Sequence, residues 1–244
     1  MAPSIWDLSM KPALNINIDC GPLDIDHISN MRKEFFQRMD YEWWVKVEPG
    51  DVVVDVGACV GFFTCAALDK GASRVYAIEP NEELLQLVMK NSFGYIKNQP
   101  ICPVIPIHAA MGNDIKHVKH VYDDGNDFPM IAFRDFLHQQ NLLHIDFMKV
   151  DCEGGEYSFL NGENSAWIFD NVDRMAIEIH LRATQTGKQD FIEFRDNFLK
   201  PFFDANRVRF MHSNLKDTIW QDSYILEENY NEVPAEFMIY ITGK

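Results

Sequence analysis

The feature that most constrains this chain is Val52-Val53-Val54-Asp55-Val56, which runs into Gly57 and, through Gly61, into Phe62 and Phe63. Four β-branched apolar residues in five positions favour a strand buried on both faces. The glycines permit a backbone turn that a Cβ would oppose, and apolar residues then resume at helical spacing as far as Gly71. Strand, glycine turn and helix form the opening unit of a parallel α/β sheet. Such a unit cannot bury its strand alone, so the rest of the chain must supply further strands and helices.

It does so. Short apolar runs at 51–56, 74–78, 104–107, 147–150, 175–179, 208–211 and 237–241 alternate with segments of helical periodicity. Helices are expected over 62–69 and over 82–91, the second capped by Asn81 with Glu82 and Glu83 in its first turn. The pattern predicts a Rossmann-like α/β fold, a seven-stranded, mostly parallel sheet with helices on both faces. Apolar residues at helical spacing over 28–44, followed by the turn Glu48-Pro49-Gly50-Asp51, predict an N-terminal cap beside the sheet. No linker, repeat or low-complexity stretch divides the 244 residues, so one domain is expected, with 1–50 as cap and 51–244 as the α/β core. The acidic stretch 117–129 reads as a loop or hairpin. The connection 213–234, with Trp220, Tyr224 and Tyr230, reads as packing.

A formal net charge of -15 opposes approach to phosphate backbones, and no stretch is basic enough to override it, so a nucleic-acid partner is not expected. No apolar segment has the length to span a bilayer and none forms a leader, so neither membrane insertion nor secretion is expected. Cys20, Cys59, Cys65, Cys102 and Cys152 are odd in number and contain no CxxC pair, which points to reduced thiols in a cytoplasmic protein.

The glycine turn is a candidate cofactor loop. A dinucleotide fingerprint needs GxGxxG, yet Cys59 stands at the second glycine position and Phe62 at the third, so a pyrophosphate is poorly served. Asp55-x-Gly57-x-x-x-Gly61 better suits S-adenosylmethionine, which carries no phosphate. Glu79 follows the next strand about twenty residues on, where the ribose of a bound nucleoside lies in such folds. The expected contacts are therefore Gly57, Ala58 and Gly61 of the turn, Glu79 and Asn81 beyond the second strand, and Ala109 and Ala110 as small residues beside the adenine. Asp55 is expected to face the cofactor's positive charge.

The segment Lys149-Val150-Asp151-Cys152-Glu153-Gly154-Gly155-Glu156 carries the second signal. With the glycine turn and Glu79 it resembles the FkbM family of S-adenosylmethionine-dependent methyltransferases, from about Tyr41 to His180. The family's pattern K-x-D-x-E-G-x-E is met by Lys149, Asp151, Glu153, Gly154 and Glu156. The family's first motif customarily has Asn where this chain has Cys59. The resemblance implies a class I methyltransferase fold and O-methylation of a hydroxyl on a sugar, lipid-linked or small secondary-metabolite acceptor.

Read from the residues, the fourth strand delivers Asp151 to the sheet edge, while Glu178 and His180 share one face of the fifth. Asp151, Glu153 and His180 are the expected catalytic group, with His180 or Glu153 as base because imidazole titrates near neutrality. Asp151 is also expected beside the cofactor, and Lys149 is expected to pair with an acid across the sheet. Hard oxygens from Asp151 and Glu178 would suit a divalent cation, a reading not favoured over a metal-free site. His117, His120, His138 and His144 read as exposed. Two other functions stay open: a non-catalytic S-adenosylmethionine-binding protein and a nicotinamide-dependent oxidoreductase.

Overall fold

A computed structural model describes residues 18–38, 40–94, 102–112, 128–181, 185–211 and 236–243; the expectations at His117, His120, Trp220, Tyr224 and Tyr230 lie outside them. The described chain enters through α1 (Ile25–Arg32), a π-helical turn over Lys33–Arg38 and a 3-10 turn over Asp40–Glu42. Then β1 (Val52–Val56), α2 (Phe62–Asp69), β2 (Arg74–Ile78), α3 (Glu82–Ser92) and β3 (Val104–Ile107) follow in alternation. A short parallel pair, β4 (Ala110–Met111) and β5 (Met130–Ile131), precedes α4 (Phe133–Gln139), β6 (Ile145–Val150), α5 (Gly162–Asn171) and β7 (Val172–His180). The remaining elements are α6 (Gln185–Glu193), a second π-helical turn over Phe194–Leu199, α7 (Lys200–Asp204), β8 (Val208–Phe210) and β9 (Glu236–Ile241).

Seven strands form one sheet in the order β3-β2-β1-β6-β7-β9-β8. The first five in that order run parallel, and β9 joins β7 and β8 antiparallel. Alternate residues of a strand face opposite ways, and both faces are covered. Val53 and Phe147 pack with α2 and the N-terminal cap through Phe62, Phe63 and Phe35. Val54, Val56, Met148 and Val150 pack on the other side with Phe136, Ile168 and Phe191. From β1 the chain steps outward to β2 and β3, then returns to β6 on the other side of β1. That reversal opens a crevice beyond the carboxyl ends of β1 and β6, where open α/β sheets bind ligands.

Strands β6 and β7 begin earlier than their apolar runs, because polar residues at their starts are tied down. Asp146 accepts a hydrogen bond from the Val52 backbone N–H at 2.7 Å, and Arg174 donates to Asp51 at 2.9 Å. Asn81 caps α3 as expected, accepting from the Leu84 N–H at 3.1 Å. The cap is not one helix. On a regular helix, residues six apart point about 240° from one another around the axis, yet Phe35 and Tyr41 are both buried and stack at 4.7 Å between centroids. The π and 3-10 turns between α1 and the sheet bring both rings inward. Among the described residues no helix is long and apolar enough to cross a membrane. All five cysteines are free thiols.

Candidate functional site

Beyond the ends of β1, β2, β6 and β7 lies a cavity of about 600 Å³, within the range of small-molecule sites. Gly57, Glu79, Ala109, Ala110, Asp151, Glu153 and His180 line it, whereas Asp55, Ala58, Gly61 and Asn81 do not.

Asp55 is fully buried. It stands in register with Lys149 on the neighbouring strand, accepts from the Thr64 hydroxyl at 2.6 Å, and lies 3.4 Å from the Lys149 ammonium. Its side chain serves the inside of the sheet, not a cofactor charge. Ala58 packs among Ala77, Leu85 and Val88. Gly61, at φ +90°, lets α3 approach α2 closely, since an added Cβ would lie 3.1 Å from Val88 Cα. Asn81 is used as the helix cap. Gly57 is required for a reason the sequence did not suggest: at φ +76° its Cβ would sit 1.7 Å from the Asp151 carbonyl oxygen. The glycine makes room for the chain leaving β6.

Glu79 is 3% exposed. One of its oxygens accepts from the Cys59 N–H and the other from the Asn81 N–H, each at 2.9 Å. Burial pushes its carboxyl up to about 7, against the pull of those two donors. Each carboxylate oxygen keeps a further acceptor site, so a diol in the cavity can be bound without disturbing the loop. The Cys59 thiol, which also lines the cavity, is pushed up to about 12 by burial and by Glu79.

On the other side, Asp151 is the centre of a charged group. Its Oδ2 accepts from the Tyr41 phenol at 2.7 Å and lies 3.4 Å from Lys149 Nζ. Its Oδ1 lies 3.9 Å from His180 Nε2. Burial opposes ionisation of Asp151, but Lys149, His180 and the phenol outweigh it and hold the carboxyl low. Lys149 pairs across the sheet as expected and donates to the Gly57 carbonyl at 2.6 Å, binding the turn after β1 to β6. Asp151 and Asp55 overcome the burial of its ammonium and keep it charged.

Glu156 is buried and structural: it accepts from the backbone N–H groups of Gly154 and His180, both at 2.8 Å. It also lies 3.4 Å from His180 Nδ1, and Glu153 lies 3.8 Å from Nε2. Burial disfavours the imidazolium, yet Glu156, Asp151 and Glu153 raise it to about 9. The three carboxylates around the ring thus favour its protonated form, which is the weaker proton acceptor. Glu178 does share the cavity with His180, but it contacts the Tyr41 hydroxyl, and burial with the nearby Asp151 charge pushes it up to about 8. Asp151 and Glu178 are thus joined through a phenol instead of opening towards a cation. Ligand atoms of Asp151, Glu153 and His180 lie within 4.8 Å of one another, a spacing that could hold a metal ion. His138 is exposed, and His144 is 47% exposed beside Asp146 and Asp173 at the other end of the sheet.

Tyr41 was the residue missed. It stands 110 positions from Asp151, and no local spacing connects the two.

The family model for the methyltransferase FkbM domain matches residues 55–209. Among solved structures, methyltransferase FkbM from Methylobacillus flagellatus KT superposes with a TM-score of 0.51 at 16% identity, covering 82% of this chain and 45% of that one. This chain therefore spans less than half the length of that protein. The O-methyltransferase from Bacillus cereus, solved with S-adenosylhomocysteine, gives a TM-score of 0.42 at 12% identity, covering 79% and 74%. No curated protein matches the chain. With the model spanning more than half of its residues and the sheet order of the fold in place, the chain belongs to the FkbM methyltransferase domain family.

Proposed function

We propose that this family member transfers the methyl group of S-adenosylmethionine to a hydroxyl oxygen of a sugar, lipid-linked or small-metabolite acceptor. One observation carries the reading: a buried carboxyl held by two loop N–H groups, Glu79, shares a cavity with the ionised Asp151 at the reversal point of the sheet. The residues fit the cofactor. Glu79 has acceptor capacity left for a ribose diol, Ala109 and Ala110 leave room for a flat ring, and the carboxylates suit a sulfonium charge. When bound, S-adenosylmethionine supplies a methyl group already activated by positive sulfur.

The chain's own work lies on the acceptor side. Oδ2 of Asp151 is anchored by Tyr41 and Lys149, which leaves Oδ1 to accept the hydrogen of an incoming hydroxyl. The acceptor O–H bond breaks as its oxygen gains the methyl, and the proton passes to Asp151. His180, as a cation between Asp151 and Glu153, orients both carboxylates. Alignment contributes most, since orientation is worth roughly 7 to 11 kcal/mol and a general base a factor of about 10² to 10⁴.

Calorimetry with S-adenosylhomocysteine and a labelled-methyl screen against sugars, glycolipids and hydroxylated metabolites test this. Product bearing a methyl ether is the expected result. Binding with no transfer to any acceptor would favour a non-catalytic binding protein, and absence of binding would remove the cofactor assignment.

A further inference from the structure

We propose that Tyr41, which lies outside the family-matched segment, is the positioning residue of the acceptor side: one hydrogen-bond chain runs from Glu178 through its phenol to Asp151 and fixes which Asp151 oxygen faces the acceptor. The inference rests on Asp151 serving as the proton acceptor. Tyr41 is 3% exposed, its ring stacks on Phe35 at 4.7 Å, and the Lys149 ammonium lies 5.4 Å from the ring centroid. The hydroxyl cannot swing away from the two carboxylates without breaking that packing.

Counting donors gives the chain its direction. A phenol has one hydrogen, while Tyr41 contacts both Asp151 Oδ2 and Glu178 Oε2, so both contacts are hydrogen bonds only when one carboxyl carries a proton. Asp151 faces Lys149 and His180, two cations. Glu178 faces the Asp151 charge and Glu34 from the π-helical turn, with His180 the cation that opposes them. The proton therefore resides on Glu178, which donates to the phenol oxygen, and the phenol donates to Asp151. Oδ2 is then saturated by Tyr41 and Lys149. Oδ1, on the His180 side, is the oxygen that meets the acceptor. The N-terminal cap thereby contributes to the site as well as covering the sheet.

The test is carboxyl ¹³C NMR on the full chain, which needs no acceptor, beside methyl-transfer kinetics with whatever acceptor the screen yields. At neutral pH the Glu178 signal is expected at the neutral-acid position and the Asp151 signal at the carboxylate position. Tyr41→Phe keeps the ring and its stacking. It should raise the Asp151 midpoint and lower kcat roughly ten- to hundred-fold, with KM and S-adenosylhomocysteine affinity near wild type. Glu178→Gln, whose amide donates to the phenol as the neutral acid does, should leave the Asp151 midpoint in place. An ionised Glu178 at neutral pH, or an Asp151 midpoint indifferent to Tyr41→Phe, overturns the proposal. Failure to transfer methyl to anything would sink the functional reading instead, and the carboxyl titration would still decide the hydrogen-bond chain.

Discussion

The two sides of the cavity are built differently. On the Glu79 side, a side chain binds backbone N–H groups of its own turn and of the neighbouring one, so the geometry is set by short pieces of contiguous chain. On the Asp151 side, groups from β6, β7 and the N-terminal cap meet as charges: Lys149, Asp151, His180, Glu178 and Tyr41. A side made from local backbone can be written as a motif. One made from distant side chains depends on the whole fold to bring it together.

The sharpest way to break the contrast is at the joint between the two sides. Gly57→Val places a branched side chain at φ +76° where even Cβ would lie 1.7 Å from the Asp151 carbonyl. The clash is with backbone, so it cannot be relieved by a rotamer change. The expected outcome is loss of cooperative unfolding, or a destabilisation beyond about 4 kcal/mol, in a denaturant melt. A folded Gly57→Val protein that merely failed to bind cofactor would show that the glycine serves ligand space instead.

Gly57 also shows how far the sequence could be read. Its glycine, the strand before it, Glu79 and the Asn81 cap were all legible because backbone requirements leave local traces. The shared face of Glu178 and His180 followed from the pleat. Asp55 was misassigned because a polar residue ending an apolar strand suggests a ligand, whereas its partner is Lys149 in register across the sheet. The contact of Glu156 with His180 could not be read from the sequence, because the two meet only after the turn following β6 folds back on β7. Tyr41 left no trace, since its neighbours in sequence say nothing of the carboxylates it joins.

The next largest effect is expected at Lys149. With Asp55 fully buried and Lys149 1% exposed, Lys149→Met keeps an apolar stem but strips Asp55 and Asp151 of their shared cation. Removing one partner of a buried ion pair typically costs about 3 to 5 kcal/mol. Urea unfolding at neutral pH measures it, and a loss under about 1 kcal/mol would mean that these charges neutralise one another less than their distances indicate.

His180 sharpens the same side through pH. Its imidazole is raised from 6.5 to about 9 in the fold, so the stabilisation is fully present below about pH 6.5 and is lost as pH rises through about 9. A shift of that size corresponds to something on the order of 3 kcal/mol. Relative to His180→Gln, the wild type should be most favoured near pH 6 and lose its advantage by about pH 9.5. Parallel stability curves for the two proteins would show that Glu156, Asp151 and Glu153 do not hold the imidazole as a cation.

Glu79 provides the corresponding test on the backbone-built side, with the smallest expected effect. Burial raises its carboxyl from 4.5 to about 7, so near neutrality the folded protein holds a mixture of the acid and the carboxylate. If Glu79 holds the cofactor ribose as proposed, the diol donates to the carboxylate, and binding must release the proton from the fraction that carries one. Affinity for S-adenosylhomocysteine should rise with pH up to about 7 and level off above it, with a limiting slope of about tenfold per unit on the acid side. Glu79→Gln has nothing to ionise; it should bind with roughly 1.5 to 3 kcal/mol less free energy above pH 7.5 and show a flat profile below. Calorimetry in buffers of different ionisation enthalpy reads both the affinity and the proton released. The upper groups of the Asp151 side, at about 8 for Glu178 and about 9 for His180, titrate above this window. A slope centred near pH 7 that disappears in Glu79→Gln therefore assigns it to Glu79, whereas a slope that persists in the mutant would place the linked proton on the charged side of the cavity.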